Sequence, residues 1–432
     1  MNQRGDVGAA RSARAVRVLR ADGGFSAPVD VAWSERGIRI AEPEAGRAPE
    51  SPERWLIPGL VDAHAHLAWH DVDAADRARR NPADAARLTS AALAALLAAG
   101  FTSVRDAGGL SAAALAGAGP GASLAGPGAS LAAAGATASP LPRVQLSVTL
   151  IDRAVADAAG GVARAAERAL DAGARWVKLV ATAGVASPAG TGLDPVFSAA
   201  ELREAVAVAA ERGAGVMVHA WGGRAIDDAI EAGALSIEHG IFLTPDQARR
   251  GAERGVTLVP TLRIYREVRD MIDEGELPEA FRPRVEEAIA AHPGAVRIAR
   301  DAGMPIALGT DSGTPAQHAS GWSELDALVA AGLEPGEALL AATVAGAALL
   351  AKVASGAPDP APDLAPAQDP APHHFPDFAD AVLLRRDPRE PGAARDPELI
   401  EAVVLDGVTH SAEALRAAAR GLRASHPRKD EQ

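Results

Sequence analysis

The sequence predicts an α/β fold, a (β/α)₈ TIM barrel with a small β domain assembled from the N- and C-terminal segments. Three observations carry this expectation. From Leu56 to Lys352, short β-like apolar runs alternate with Ala-rich segments of helical period, the pattern of a parallel sheet with crossover helices. The runs number eight, which is the number that closes such a barrel. Short alternating segments flank the series, AVRVLRA and PVDVAW before it and ADAVLLRR and IEAVVLDG after it.

Taken in order, the runs are LIPGLVDAHAH from Leu56, FTSVRD from Phe101, RVQLSV from Arg143, WVKLVAT from Trp176, GVMVHA from Gly215, LSIEH from Leu235, VTLVPT from Val256 and PIALGTD from Pro305. The barrel is therefore assigned to residues 56–352, and the composite β domain to residues 1–55 and 353–432. Residues 356–376 place a proline every two to four positions, which removes backbone donors and keeps the chain extended as a linker. Residues 111–142 contain GPGASLA from Gly119 to Ala125, copied directly from Gly126 to Ala132. Too short and too poor in large apolar residues for a solenoid, this segment is expected to be a low-complexity loop insertion. The uncharged stretch from Ala338 to Ala351 falls short of the roughly 20 residues of a membrane span and is expected to be a buried helix.

Composition narrows the function. With 432 residues, 48% of them hydrophobic, the chain suffices for one large domain and a smaller one. Its 43 Lys+Arg against 56 Asp+Glu give a formal charge of −13, which disfavours attraction to nucleic acid or to an anionic membrane. Cysteine is absent, so a metal must be held by imidazole and oxygen ligands. The lack of disulfides fits a reducing compartment. The first twenty residues show no continuous apolar run behind their basic residues, so a cytoplasmic location is expected.

His64 and His66 stand two apart on a predicted strand and so share a face. Alone, that spacing is a weak signal, more often two partly exposed histidines near a strand end than a metal grip. However, His219 ends GVMVHA, His239 ends LSIEH and Asp311 ends PIALGTD, each at the C-terminal end of a different predicted strand, where barrels carry their active sites. Singly these are ordinary core or capping residues; converging on one rim, they would carry a desolvation cost that a bound cation removes. Lys178 lies inside WVKLVAT in a chain whose other lysines are Lys352 and Lys429. Buried there, its amine would lose hydration and drop in pKa, allowing reaction with CO₂ to give a bridging carbamate. A lysine that reaches the strand end or pairs with Asp311 explains the position equally well.

Together IPGLVDAHAHL, AGFTSVRDAGG, AGARWVKLVATAGV, VMVHAWGGRAIDDAIEAGALSIEHG, LVPTL, IALGTDSG and AATVAGAALL, in this order and spacing, resemble the amidohydrolase superfamily in its imidazolonepropionase-like and prolidase-like branch. The resemblance implies that His64, His66 and Asp311 hold one divalent metal, that His219 and His239 hold a second, and that carboxylated Lys178 bridges them. It further implies that a metal-bridging hydroxide attacks the substrate carbonyl, with Asp311 shuttling the proton to the leaving amine. Zinc is the default ion for imidazole and carboxylate ligands. Tyr265 follows LVPTL where prolidase-like relatives place a substrate-contacting tyrosine, although a tyrosine packed on a helix fits as well. One departure is RVQLSVTLIDRAVADAAGG, which lacks the histidine that relatives carry after the third strand.

The expected function is hydrolysis of an amide-type bond in a small molecule such as a dipeptide or N-acyl amino acid. Two alternatives remain at this point. One is a mononuclear cyclic amidohydrolase or deaminase; the other is a catalytically silent metal-binding scaffold. A small-molecule substrate is the expected partner, and the resemblance suggests a homo-oligomer.

Overall fold

In chain order the strands are β1 (Ser12–Val18), β2 (Val29–Ser34), β3 (Gly37–Ala41), β4 (Arg54–Pro58), β5 (Leu60–Ala65), β6 (Phe101–Asp106), β7 (Arg143–Gln145), β8 (Leu150–Ile151), β9 (Trp176–Val180), β10 (Gly215–Ala220), β11 (Ser236–His239), β12 (Thr257–Val259), β13 (Ala381–Leu384), β14 (Ile400–Leu405) and β15 (Val408–Ser411). The computed structural model describes residues 12–34, 37–41, 53–70, 79–118, 140–187, 190–314, 316–353 and 379–424. The GPGASLA duplication and the Pro-rich segment 356–376 lie outside the described residues.

Seven strands form one sheet in the order β15-β14-β13-β4-β1-β2-β3. Strands from the two ends of the chain meet where β13 runs antiparallel to β4. Their alternation buries Val16, Val31, Trp33, Leu56, Leu383 and Val404 in a core of their own, as a period of two requires.

A single strand was expected from Leu56 onward, but the chain changes sheets at Gly59, with β4 ending at Pro58 and β5 beginning at Leu60. The Gly59 N–H donates to the Asp380 carbonyl at 2.9 Å. A Cβ at Gly59 would lie 2.1 Å from the Thr102 hydroxyl, so the switch requires a residue without a side chain.

The remaining strands form two parallel sheets, β5-β6-β7 and β12-β11-β10-β9-β8. Helices Pro82–Ala98, Val162–Asp171, Ala199–Glu211, Arg224–Ala232 and Pro245–Glu253 lie in the crossovers. Among the described residues the regular ladders do not make one continuous eight-stranded ring, because two expected strands are irregular. RVQLSV is paired as a strand only over Arg143–Gln145. Val148, at φ 63, bends the chain, which resumes as β8 beside β9. Between the two pieces, the Leu146 carbonyl accepts from Arg175 and Trp176 at 2.7 and 3.1 Å and so bridges the sheets.

The segment from Pro305 to Asp311 was expected as the eighth strand, yet it forms no continuous ladder. It exchanges backbone hydrogen bonds with Leu258 on one side and with Ala63 and His64 on the other, and the regular pairing here and at Ser312 is limited to the isolated bridges Leu258 with Ile306 and Ala65 with Ser312. Its donors are partly diverted. Thr310 N–H donates to the buried Asp62 carboxylate at 3.0 Å, and Leu308 N–H to the Ala341 carbonyl at 3.0 Å. The second bond explains the next irregularity. The buried helix expected over Ala338 to Ala351 is α-helical to Leu340, a π turn over Ala341–Ala345, and α-helical again over Gly346–Ala351. The widened turn leaves the Ala341 carbonyl available to Leu308.

Side chains from both sheets pack together, with Val61, Ala63, Trp176, Met217, Val259 and Ala307 in one apolar cluster. These residues precede the candidate site residues on their strands, so the site rests on a dry floor.

Candidate active site

β9, β10 and β11 lie side by side, with Met217 opposite Lys178 and His219 opposite Glu238. This register sets Lys178 in mid-strand, His219 one residue before the end of β10, and His239 at the end of β11. The residues singled out from sequence, His64, His66, Lys178, His219, His239, Tyr265 and Asp311, all line one cavity of about 450 Å³. After the third strand, where the resemblance led to expect a histidine, Leu150 forms part of the wall.

In the first half of the site both imidazole Nδ1 atoms have protein partners. The β5–β6 ladder shifts register between Asp62 and Ala65, an irregularity of the kind that re-aims a side chain. The His64 and His66 Nε2 atoms each lie 3.3 Å from Asp311 Oδ1. His66 Nδ1 is 3.0 Å from the Gly108 carbonyl, which only accepts, so Nδ1 carries the proton and Nε2 offers its lone pair. His64 Nδ1 is 2.5 Å from Glu238 Oε2. Burial raises the Glu238 pKa, but Arg105 and His64 more than offset this and hold it at about 2. Glu238 is thus an ionised acceptor that fixes His64 in the same tautomer. Beneath it, Arg105 donates to both Glu238 oxygens at 3.0 and 3.1 Å and stacks 4.5 Å above the Trp176 ring.

The second half is different. His239 Nδ1 meets Thr261 Oγ1 at 2.8 Å, and the His219 ring lies 4.5 Å from the His239 ring. Yet Lys178 Nζ and His219 Nε2 are buried with no hydrogen-bond partner among the described residues. Leaving a buried polar atom unsatisfied costs about 1–3 kcal/mol, so this pair points to a group that binds beside them. One ligand atom from each of His64, His239 and Asp311 lies within 4.8 Å of the others, with His66 and His219 flanking that trio. Imidazoles and a carboxylate without thiolates suit a divalent cation such as zinc. The residues present therefore fit a metal.

Their electrostatics agree. Burial, then the nearby Lys178, lowers His219 to about 3. Burial and His219 hold His239 well below the usual imidazole range, so both rings are neutral near pH 7. Burial lowers Lys178 to about 8, which leaves an appreciable fraction as free amine. Burial pushes Asp311 up, but His64 and His66 outweigh it and keep the carboxylate well below its ordinary range. His239, Thr261 and Asp311 adopt left-handed backbone at φ 71, 54 and 52, a conformation that costs each about 1–3 kcal/mol and collects at functional sites.

Aromatic side chains wall the cavity. Trp69 stacks on His66 with centroids 3.8 Å apart, and Tyr265, on helix Leu262–Asp273, meets Trp221 edge-on at 5.6 Å. Sequence reasoning missed Glu238, Arg105 and Thr261. A signal existed for Arg105, a charged residue inside the apolar run FTSVRD, the same kind of signal that singled out Lys178.

Comparison with known proteins extends this picture. Residues 55–354 match the amidohydrolase family. An uncharacterized protein of Mycobacterium tuberculosis is 30% identical over 311 residues, covering 72% of this chain and 78% of that protein. Ochratoxinase of Aspergillus niger is 31% identical over 190 residues, 44% of this chain and 39% of that enzyme. Among solved structures, a prolidase complexed with N-methylphosphonate-L-proline has a TM-score of 0.74 at 24% identity, covering 93% of this chain and 99% of that one. A Xaa-Pro dipeptidase with methionine bound in its active site has a TM-score of 0.73 at 22% identity, over 93% and 99% of the two chains. At such identities the structural likeness speaks to fold alone; with the family match, it implies a TIM barrel with a β domain. Because the family match covers most of the chain, the protein belongs to the amidohydrolase family and is a hydrolase.

Proposed function

We propose that this hydrolase is metal-dependent and cleaves an amide-type C–N bond in a small molecule such as a dipeptide or N-acyl amino acid. The observation that carries the proposal is the convergence of four histidines, an ionised aspartate and a lysine without a hydrogen-bond partner among the described residues on one cavity. In this reading the two parallel sheets, joined at Leu146 and along Pro305 to Asp311, serve as the TIM barrel of residues 56–352. The described strands at the two ends of the chain, β1 to β4 and β13 to β15, serve as the β domain assigned to 1–55 and 353–432, with β4 carrying it on to Pro58.

His64, His66 and Asp311 would hold one ion, His219 and His239 the other, and a carbamate on Lys178 would join them, with zinc the default metal. Divalent ions held there supply a Lewis acid for the scissile carbonyl and lower the pKa of the attacking water. The Lys178 amine adds CO₂ and releases a proton, giving an anionic group beside His219. Glu238 and the Gly108 carbonyl keep the Nε2 lone pairs of His64 and His66 turned toward the cavity. Asp311 accepts the water proton at its carboxylate and returns it to the leaving amine. Tyr265 and Trp221 offer an aromatic face to an apolar substituent of the substrate. The proposal includes a cytoplasmic homo-oligomer. Among the described residues no helix is long and apolar enough to cross a membrane.

The compact trio of His64, His239 and Asp311 favours a second reading, a mononuclear site opening a cyclic amide. The test is hydrolysis of a panel of dipeptides, N-acyl amino acids and cyclic amides before chelation, after it, and after zinc is returned. Chelator-sensitive turnover of linear amides is expected. Turnover of cyclic amides alone would favour the mononuclear site, and linear turnover indifferent to chelation would refute metal dependence.

A further inference from the structure

Helix Leu262–Asp273 begins at Thr261, a residue in left-handed conformation whose side chain makes no capping hydrogen bond to the helix. A threonine at this position ordinarily uses its hydroxyl to accept one of the first helical N–H groups. Here the hydroxyl is committed elsewhere, 2.8 Å from His239 Nδ1. The first helical donors are taken instead by a carboxylate from a distant part of the chain. Leu262 N–H donates to Glu324 Oε1 at 2.7 Å and Arg263 N–H to Glu324 Oε2 at 2.9 Å. Glu324 belongs to helix Trp322–Ala331 and is fully buried. Burial pushes the Glu324 carboxyl up to about 7, against the pull of these two N–H groups, so the contact is carried by the fork across both donors at the positive end of the helix.

The lock extends toward the other side of the site. The Arg263 side chain, held at the same helix start, donates from Nη2 to Ser312 Oγ at 3.0 Å, and Ser312 follows Asp311 directly. The start of the helix thus touches one candidate ligand, His239, and the neighbour of another, Asp311, and it is held by Glu324.

We propose that Glu324 is a positioning residue for the metal site. By capping from another helix the segment that starts at Thr261, it releases the Thr261 hydroxyl to hold His239, and it sets Tyr265 in the cavity wall. The inference rests on His239 being a ligand. A buried carboxylate kept only for stability would do none of this, so the two roles separate experimentally.

The test is zinc affinity of the purified full chain, measured by competition with a chromophoric chelator, for the parent, Glu324→Gln, Thr261→Val and the double variant. Outer partners of ligand histidines typically change metal affinity by about 10- to 100-fold. Each single variant is expected to weaken zinc binding by about tenfold, and the double variant to be no weaker than the worse single one, since both act through one contact. A Glu324→Gln protein that melts earlier but binds zinc like the parent would overturn the inference, as would losses that simply add. Should Glu324→Gln not fold, Glu324→Asp, which keeps the carboxyl but shortens the reach, is expected to weaken binding in the same way, and parental affinity in it would overturn the proposal. A parent that binds no zinc would instead overturn the metal-dependent function itself.

Discussion

The two halves of the site differ in how much of their chemistry the protein satisfies alone. Around His64 and His66, Asp311 lies 3.3 Å from both Nε2 atoms, Arg105 braces Glu238 from beneath, and each Nδ1 has a protein partner. Around Lys178 and His219 two buried nitrogens have none among the described residues. The first half is preorganised by the fold, and in the proposed function the second is completed by a bound metal. Substitutions in the first half should therefore act whether or not metal is present, while those in the second should act through the metal.

The largest effect is expected at the junction of the halves. Asp311→Asn keeps the shape but removes the proposed proton carrier, and turnover should fall by about 10²- to 10⁴-fold. Steady-state rates on a cleaved amide check this, and a loss below tenfold would exclude the shuttle role. Next comes Glu238→Gln, which leaves Arg105 buried without its anionic partner. Breaking such a pair costs about 3–5 kcal/mol, so denaturant midpoints should drop even in chelated protein. A change seen only with metal present would move Glu238 into the metal-dependent half.

Acid should separate the halves further. In chelated protein His219 titrates near 3 rather than 6.5. Between these values the unfolded chain binds a proton that the folded chain refuses. Stability should therefore fall as pH falls from 6.5 toward 3, by about 1.4 kcal/mol per pH unit from this group. Lys178, at about 8 instead of 10.5, has the same sign at the alkaline end, adding stability as pH rises from 8 to 10.5. Denaturation at stepped pH, compared with His219→Gln, isolates the acid slope; identical slopes would contradict it. The smallest change is expected for Lys178→Met in chelated protein. Removing a buried amine that has no partner should leave stability unchanged or raise it by about 1 kcal/mol, and a loss above about 2 kcal/mol would mean that Lys178 is satisfied without metal.

The same contrast governs what could be read from sequence. His219, His239 and Lys178 were legible because each is a polar residue interrupting or ending an apolar run, a local signal. Glu238 sits beside His239 but gains meaning only from Arg105, 133 residues away. Thr261 and Glu324 were invisible for the same reason, since a helix cap supplied by another helix leaves no mark in local spacing. In the fold, the run from Pro305 looked like its neighbours, but Asp62 and Ala341 take hydrogen bonds from its backbone. The strand expected from Leu56 likewise hid a change of sheet at Gly59, because apolar residues continue on both sides of it.

The central claim is that the second half is completed by a metal bridged through Lys178. Metal content per chain by elemental analysis, on protein purified with bicarbonate and without chelator, tests it most directly when the parent is compared with Lys178→Ala. The account predicts about two ions per chain, with a clear loss in the variant. One ion per chain, the same with and without Lys178, would contradict it.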